Sequence, residues 1–375
     1  MTAPMLAELT AVVFGGGAGW GLRVCDALRP RARRVVVIEK DATAGQIHDA
    51  VAASTLVFLA IPDDRIDGLL RALRPQLADG RIVIDCASNK SGFASALAEI
   101  AATGASVCST HPMVVSTTSP RGHNVLIMPL GAHPGPAVAA AEAIFGALDM
   151  TLERFEFDRH GDAMVIVQMV PHLVQRILIQ ALGHGLSAAS MTIEDISRIA
   201  PANYLLAELG VGRVAAQRPD VSAGVIASAL QQPFGRQIVD DIRAMLVQIL
   251  ETDGARDTLT ALFAASVATL DPDGSWRDEM KLRTEAALVR LGNLRSRHFV
   301  VEAPNQRGVL RDILSILIDG HNIDMTALDS QVVRDDGGAA LARFEIGITD
   351  EHVDFSRLAA DLRTIGVRLV GTSAD

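Results

Sequence analysis

The first forty residues hold a short apolar run, a cluster of glycines and a second, β-branched run, and this order restricts the fold strongly. The first run, at 11–14, is followed directly by the glycine cluster GGGAGWG at 15–21, and the second run lies in RRVVVIEKD at 33–41. A strand, a glycine turn, a helix and a further strand direct backbone N–H groups and the positive end of a helix toward a phosphate. The sequence therefore predicts a nucleotide-binding βαβ unit.

The glycine cluster fits the spacing of a dinucleotide-binding turn with one exception. The usual pattern is G-x-G-x-x-G, and a frame that ends on Gly21 has Gly16, Ala18 and Gly21 at its three positions. Glu39 ends the next strand about 20 residues on, where a carboxylate accepts hydrogen bonds from ribose hydroxyls and repels a 2′-phosphate. This favours NAD, while basic residues near Glu39 leave NADP as the alternative. The predicted cofactor-binding residues are Gly15, Gly16, Gly17, Ala18, Gly19, Trp20, Gly21, Glu39, Ile61 and Pro62.

Three patterns follow one another along the 375 residues. Apolar strands first alternate with helical segments, and several strands are apolar throughout, as in a parallel sheet buried on both faces. Long Ala- and Leu-rich stretches then predict helices over 158–190, 193–216, 219–251 and 254–292. The order βαββαβ near the end predicts a small α+β domain. The fold class is therefore α/β, with a Rossmann-type domain at 1–153, an all-α domain at 154–295 and an α+β domain at 296–375.

The bulk composition disfavours several classes of partner. The net charge of −10 argues against nucleic acid and against anionic membrane surfaces. No uncharged stretch reaches the roughly 18 apolar residues of a membrane span, and MTAPMLAELT lacks the basic start of a signal peptide. Three cysteines without a CxxC spacing fit a reducing compartment. We therefore expect a cytoplasmic protein that acts on a small molecule, and the long apolar helices predict a homodimer that buries them.

Polar residues follow two of the predicted strands, at the sheet edge where ligands bind in such folds. DCASNKSG at 85–92 supplies Ser88, which can donate to a hydroxyl, and Lys90, which can meet an anion or support the loop. STHPM at 109–113 supplies His111, whose imidazole can accept a proton from a substrate hydroxyl as a hydride leaves. Each of these side chains is also compatible with a purely structural role.

The helical region offers a second group of candidates. His160 and His172 are 12 residues apart, a little over three turns, and so share one helix face. Asp195 and Arg198 stand at i and i+3, and Arg198 can bind a carboxylate through two hydrogen bonds. A solvated helix pair is the alternative interpretation. A zinc site built from His111, His160 and His172 lacks close ligand spacing, so no metal is expected.

The order of these motifs resembles the prephenate dehydrogenase family, which includes arogenate dehydrogenases. The resemblance covers nearly the whole chain and rests on the GGGAGWG turn, the D-x-x-S-x-K loop in DCASNKSG, and the HPM, VPH and DISRIA motifs. The C-terminal segment, with PNQRGVLRDILSIL and then HNID, resembles an ACT domain, a small regulatory module that binds amino acids. The family implies NAD-dependent oxidative decarboxylation of prephenate to 4-hydroxyphenylpyruvate in tyrosine biosynthesis, with feedback regulation by an amino acid.

The resemblance also implies roles for individual residues. His111 takes the proton of the ring 4-hydroxyl while hydride passes to the nicotinamide, and Ser88 assists at the same hydroxyl. Arg198, oriented by Asp195, binds a substrate carboxylate. The implied catalytic residues are His111 and Ser88, the implied substrate-binding residues are His172, Arg198, Asp195, His160 and Lys90, and the implied effector-binding residues are Asn305, Gly308, Asn322 and Ile323.

The sequence departs from the family after HPM, where Val114 and Val115 stand and many relatives have a glycine. Because that loop closes over the substrate in the family, arogenate and 4-amino-4-deoxyprephenate, a substrate of antibiotic pathways, are alternatives to prephenate. A β-hydroxyacid dehydrogenase is less compatible, since residues 158–192 contain no lysine to serve as its acid and base. A non-catalytic metabolite sensor built from the Rossmann and ACT units is the remaining alternative.

Overall fold

The chain forms two compact units in the computed structural model, which describes residues 3–78, 80–293, 297–334, 340–349 and 353–372. The N-terminal unit comprises Met1–Val174 and Pro219–Arg243, and the C-terminal unit comprises Gln175–Arg218 and Ala244–Asp375. The predicted helical domain at 154–295 contributes to both units. Its predicted end falls on 294–296, outside the described residues, so the three-domain division stays a prediction.

A seven-stranded sheet lies at the centre of the N-terminal unit. Its strands are β1 Thr10–Phe14, β2 Arg34–Ile38, β3 Leu56–Leu59, β4 Ile82–Asp85, β5 Ser106–Pro112, β6 Asn124–Leu130 and β7 Thr151–Arg154. They lie in the order β2-β1-β3-β4-β5-β6-β7, and β1 to β5 are all parallel. The predicted Rossmann-type sheet is therefore confirmed.

The far edge of this sheet differs from the prediction in two respects. β6 runs antiparallel to β5, because the short loop between them contains no crossover helix that could return the chain to a parallel direction. β7, with the exposed sequence TLER, pairs parallel to β6 and closes the edge. It is only four residues long and Leu152 is its one apolar residue, so it left no strand signal in the sequence.

Helices cover both faces of the sheet. They are α1 Gly19–Leu28, α2 Ala44–Ala52, α3 Asp63–Leu73, α4 Ala94–Ala102 and α5 Gly135–Gly146. One apolar core, which contains Phe58, lies beneath α1 and α5, and a second core, which contains Phe93, lies beneath α2, α3 and α4. Because the central strands are buried on both faces, they are apolar throughout.

Eight helices occupy most of residues 160–293 of the described chain. They are α6 His160–Met164, α7 Val170–Ala189, α8 Ile193–Ile199, α9 Ala202–Ala215, α10 Pro219–Leu230, α11 Pro233–Glu251, α12 Arg256–Leu270 and α13 Ser275–Asn293. Three of the four long helices predicted from the sequence are thus divided in two. Pro201 and Pro233 lack the N–H that a continuous helix needs, and Asp271 accepts hydrogen bonds from the backbone of Trp276 and Arg277 at the start of α13.

The remaining long helix is continuous from Phe157 to Ala189 although it contains Pro171. A π turn at Val165–Met169 lies just before this proline. Since proline donates no hydrogen bond and its ring presses on the preceding turn, the wider π turn accommodates it. Within the described part of the chain, this is one helix long and apolar enough to cross a membrane, which is weak evidence because core helices of soluble proteins meet the same criterion.

The C-terminal segment has the predicted order βαββαβ. Its elements are β8 Arg297–Pro304, α14 Val309–Ser315, β9 Met325–Arg334, β10 Ala340–Ile348, α15 Phe355–Thr364 and β11 Arg368–Thr372. The strands form an antiparallel sheet in the order β11-β8-β10-β9. Phe299, Ile313 and Leu358 join the sheet and both helices in one core. The turn predicted at the DDGG sequence, residues 335–338, lies outside the described residues.

Replacing Phe58 with alanine tests the core beneath α1 and α5. The ring is fully buried, so we expect the free energy of unfolding to fall by about 3–5 kcal/mol, since the change leaves a cavity. Trp20 packs against this core, so its fluorescence during urea denaturation reports the unfolding, in a Trp276→Phe background. Val115→Ala, at an exposed position, is the control and should change the free energy by no more than about 0.5 kcal/mol.

Candidate active site

The glycine turn lies where β1 and β3 end side by side. The chain passes from β1 to β2 on one side and to β3 on the other, so a crevice opens at the carboxyl ends of β1 and β3. Gly15 follows β1 with a φ of +76°, and a Cβ on it would lie 2.4 Å from the carbonyl oxygen of Ala60. Ile61 and Pro62 come next, and Pro62 directly precedes α3. Only a glycine fits at position 15.

The helix after the turn is positioned to receive a phosphate. α1 begins at Gly19, and Ala18 before it gives no side-chain cap, so no N-cap side chain competes with a phosphate for the first amides of the helix. A Cβ on Gly21 would lie 2.0 Å from the carbonyl oxygen of Gly15. Because Gly21 has no Cβ, α1 is able to lie this close to the turn. This approach supports the frame that ends on Gly21.

Two predicted cofactor residues, Glu39 and Trp20, take different positions. The Glu39 carboxylate accepts a hydrogen bond from the N–H of Gly17 at 2.7 Å, so it lies against the turn. The Trp20 ring instead packs edge-on against Phe145, with 6.3 Å between ring centroids. The ring therefore packs partly against the apolar core.

A buried ion pair joins the ends of β4 and β5. Asp85 is fully buried and Lys90 is 5% exposed, and the Lys90 ammonium donates to the Asp85 carboxylate. The same ammonium donates to the carbonyl of Thr110 at 2.8 Å, and the Thr110 hydroxyl donates to the Asp85 carbonyl at 2.6 Å. Lys90 therefore supports the loop and fixes the backbone next to His111.

His111 forms a pair with His160. The two rings are buried, with Nδ1 of His111 3.0 Å from Nε2 of His160. Their centroids lie 5.2 Å apart with an interplanar angle of 62°. His111 is held by β5 and His160 by the first turn of α6, so the fold brings together two residues that are 49 positions apart.

The surroundings keep both imidazoles neutral near pH 7. Burial, the nearby charge of Lys90 and the neighbouring His160 lower the pKa of His111 well below 6.5. Burial and the charge of Lys90 lower the pKa of His160 to about 4. A neutral His111 is able to accept a proton.

A cavity of about 540 Å³ in the N-terminal unit is lined by His160 of this pair. Its walls come from the loop after β4, from α6 and the π turn, and from α10. The polar residues that line it are Asp63, Ser88, Asn89, Lys90, Ser91, Asp158, His160, Gln168, Asp220, Ser228 and Gln232. Burial raises the pKa of Asp63, whose carboxylate accepts a hydrogen bond from the N–H of Asn89. The cavity has the size and mixed polarity of a small-molecule site.

His172 lies in the same unit but has a different partner. Its Nδ1 is 3.1 Å from the hydroxyl of Ser222, which is buried in α10. His160 and His172 therefore contact different residues: His160 contacts His111, and His172 contacts Ser222. Among the described residues, no group of three His, Cys, Asp or Glu side chains is placed to hold a metal ion.

Asp195 and Arg198 lie in the C-terminal unit, on α8. Asp195 closes a capping box with Thr192 and accepts a hydrogen bond from Arg198 at 2.5 Å. The Arg198 side chain is 73% exposed, so its guanidinium remains accessible. The predicted ion pair is present, and its role toward a substrate stays a prediction.

The predicted effector residues lie in two connections of the C-terminal sheet domain. Asn305 and Gly308 precede α14, where Gly308 is the N-cap residue with a φ of +91°. Asn322, with a φ of +50°, and Ile323 precede β9. The Ile323 side chain belongs to the apolar core, so only its backbone is available to a ligand. Binding of an effector stays a prediction.

Three further residues of this site were not assigned from the sequence. Asp85 stands in the D-x-x-S-x-K loop, so the motif already contained it. Asp63 starts α3 directly after Pro62, which is the only signal that the sequence offers. Ser222 lies 50 residues from His172, and no sequence pattern connects the two.

Comparisons with known proteins agree with the fold and with a nucleotide-binding domain at its N-terminus. Residues 26–149 match the family model for the prephenate dehydrogenase nucleotide-binding domain. A 4-amino-4-deoxyprephenate dehydrogenase of Streptomyces pristinaespiralis is 26% identical over 282 residues, which cover 74% of this chain and 87% of that protein. The fold is similar to that of arogenate dehydrogenase from Synechocystis, with a TM-score of 0.50, 17% identity and coverage of 70% of this chain and 99% of that one. It is also similar to a protein of Corynebacterium glutamicum provisionally named a prephenate dehydrogenase. The TM-score is 0.53 and the identity 14%, with coverage of 76% of this chain and 90% of that one.

The fold and the glycine turn define a nucleotide-binding dehydrogenase with its crevice at the carboxyl edge of a Rossmann-type sheet. The matches are specific for one group of such enzymes, and the chain is similar to the prephenate dehydrogenase family in its nucleotide-binding domain and over most of its length. The family resemblance and the nucleotide-binding domain predicted from the sequence are thereby confirmed, while the individual cofactor-binding residues stay predictions.

Gly21→Ala tests the close approach of α1 to the glycine turn. The added Cβ would meet the Gly15 carbonyl at 2.0 Å, so the turn must shift and NAD affinity should fall at least tenfold in isothermal titration calorimetry. Gly45→Ala is the matched control, because a Cβ there meets nothing within 4 Å. Unchanged affinity in Gly21→Ala would contradict the assignment of the turn.

Removing the buried charge of Lys90 should raise the pKa of His111. Because Lys90→Met alone would leave Asp85 as an unpaired buried carboxylate, we combine it with Asp85→Asn. We expect the His111 ring to titrate at a higher pH than in the wild type, yet still below 6.5 because the ring remains buried. NMR titration of the histidine ring protons measures this. Lys281→Met, at an exposed position, should leave the His111 titration unchanged.

Proposed function

We propose that the chain catalyses the NAD-dependent oxidative decarboxylation of prephenate to 4-hydroxyphenylpyruvate. The observation that carries this proposal is the buried His111 at the carboxyl end of β5, on the same sheet edge as the glycine turn. Its lowered pKa keeps it neutral, the form in which an imidazole acts as a base. The match of residues 26–149 to the nucleotide-binding domain of prephenate dehydrogenases supports the type of reaction.

The residues of the turn fit NAD. A Cβ on Gly15 would collide with the Ala60 carbonyl and one on Gly21 with the Gly15 carbonyl, so these glycines allow the tight turn that brings the start of α1 close to β1. The first amides of a helix in this position are suited to the pyrophosphate. Glu39 already accepts one hydrogen bond at this turn, and its carboxylate suits ribose hydroxyls but repels a 2′-phosphate. Bound NAD supplies the acceptor for the hydride.

In this reaction His111 handles the proton of the ring hydroxyl. As the hydride leaves ring C4, Nε2 of His111 takes the proton from the oxygen on that carbon. The bond to the ring carboxylate then breaks, CO₂ leaves, and its electron pair completes the aromatic ring. The proton returns from His111 to the oxygen, so the residue ends the cycle neutral.

Other residues serve to hold the substrate in this proposal. Ser88 is exposed at the cavity and is able to donate to the ring hydroxyl. Arg198 presents an accessible guanidinium for a carboxylate, and Asp195 orients it. His172, held by Ser222, completes the proposed set. Lys90 acts through the loop, because its ammonium is already bonded to Asp85 and Thr110.

A second candidate substrate is 4-amino-4-deoxyprephenate, on which the Streptomyces relative acts by name. Its ring carries a basic nitrogen in place of the hydroxyl oxygen. The Asp63 carboxylate lines the cavity and is suited to a cationic amine. This observation favours the amine, whereas the neutral His111 suits either group.

We further propose a cytoplasmic homodimer that is regulated by an amino acid. Large apolar side chains such as Leu250, Leu270 and Leu282 are 68–77% exposed in one chain, which supports a partner that buries them. The antiparallel C-terminal sheet with two helices supports the ACT resemblance and hence a regulatory ligand near Asn305 and Asn322.

An assay of turnover tests the proposed reaction. The protein is mixed with NAD and, separately, with prephenate, arogenate and 4-amino-4-deoxyprephenate, and the absorbance of the reduced nicotinamide is recorded. We expect turnover with prephenate or with its amino analogue, and His111→Asn should reduce kcat by roughly 10²-fold or more. His133→Asn, at an exposed position, is the control and should keep full activity.

The outcomes separate the candidates. Higher kcat/KM on the amino analogue identifies the second candidate, and in that case Asp63→Asn should lower kcat/KM for the amine more than for prephenate. An absence of turnover with all three compounds, while NAD still binds, would contradict the proposed enzyme and favour a metabolite sensor.

A further inference from the structure

The pairing of His111 with His160 has a consequence for which nitrogen of His111 carries a proton. His160 was predicted to bind substrate, but its Nε2 is directed at Nδ1 of His111, 3.0 Å away. Within the described residues, Nε2 of His111 forms no hydrogen bond. The pair therefore occupies one nitrogen of His111 and leaves the other for a ligand.

Two neutral imidazoles share one proton at such a contact, so two arrangements exist. In the first, Nδ1–H of His111 donates to Nε2 of His160, and Nε2 of His111 carries a lone pair. In the second, Nε2–H of His160 donates to Nδ1 of His111, and Nε2 of His111 then carries a proton and is unable to accept another. Only the first arrangement gives a base at the free nitrogen.

We propose that His160 is a positioning residue that accepts the Nδ1 proton of His111 and so holds His111 in the tautomer whose Nε2 is a base. His160 then does for this histidine what a buried carboxylate does in other histidine-containing sites, and it remains uncharged. The role deepens the proposed dehydrogenase and rests on it for the identity of the reaction. It replaces the predicted contact of His160 with the substrate.

The neighbouring charges favour a neutral partner over a carboxylate at this position. The Lys90 ammonium donates to the Thr110 carbonyl of β5, and the buried Asp85 carboxylate is its ion-pair partner. A second buried carboxylate beside Asp85 would be costly to desolvate, whereas a neutral acceptor is not. When His111 takes a proton, its Nδ1–H bond to His160 strengthens, because the donor has become charged.

The tautomer can be measured without any substrate. Nitrogen-15 NMR of the full chain with labelled histidine distinguishes protonated from unprotonated ring nitrogens, and His111→Asn identifies the His111 signals. We expect a protonated Nδ1 and an unprotonated Nε2 at pH 7. A protonated Nε2, or a mixture of tautomers in the wild type, would falsify the proposal.

Variants of His160 test the positioning role. Gln is able to accept a hydrogen bond at the place of Nε2, whereas Leu has a similar volume but no acceptor. We expect His160→Leu to lower kcat by roughly 10²-fold, to leave KM nearly unchanged and to give mixed His111 tautomers, and we expect His160→Gln to restore most of the activity and the single tautomer. His133→Leu, at an exposed position, is the control.

The results distinguish this inference from the proposed reaction. If His160→Leu folds, as judged by circular dichroism, and keeps the wild-type tautomer and kcat, His160 does not position His111. A large rise in KM with an unchanged kcat would instead assign His160 to substrate binding and overturn the proposal. If the wild type turns over none of the three compounds, the proposed function fails, while the tautomer measurement still decides the role of His160.

Discussion

The ion pair between Asp85 and Lys90 is the interaction on which the rest of the site depends. It is buried at the ends of β4 and β5, and the same ammonium binds the Thr110 carbonyl, one residue before His111. Removing one partner from a buried pair of this kind costs about 3–5 kcal/mol, because the other charge loses its partner. The pair thus fixes the backbone of the candidate base, and its positive member helps to keep that base neutral.

The two halves of the candidate site share one edge of the sheet for a topological reason. Parallel strands end at the same edge, so the residues after β1, β3, β4 and β5 come together although they are far apart in sequence. At the first two strand ends, Gly15 after β1 lies directly against Ala60 after β3. This close contact is possible because Gly15 has no Cβ, which would collide with Ala60. At the other two ends, buried polar groups set the protonation of His111. One edge therefore combines a nucleotide crevice with a neutral base.

The sequence predicted the regular elements well and the interruptions poorly. Apolar strands and the glycine turn are local signals, so the sheet and its crevice were predicted correctly. β7 was missed because it is short and exposed, and three long helices were predicted where the structure has pairs. The π turn before Pro171 was also not predicted, because the proline indicates a break whereas the backbone widens to accommodate it.

The sequence by itself determined the fold class, the position of the glycine turn and the residue types available for chemistry, because these depend on local spacing and periodicity. Only the tertiary structure decided which of those residues meet. His160 contacts His111, His172 contacts Ser222, and Lys90 is bonded to Asp85 instead of facing outward. Contacts between residues 49 or 50 positions apart depend on how the helices pack against the sheet edge, and no pattern within a single segment records that packing.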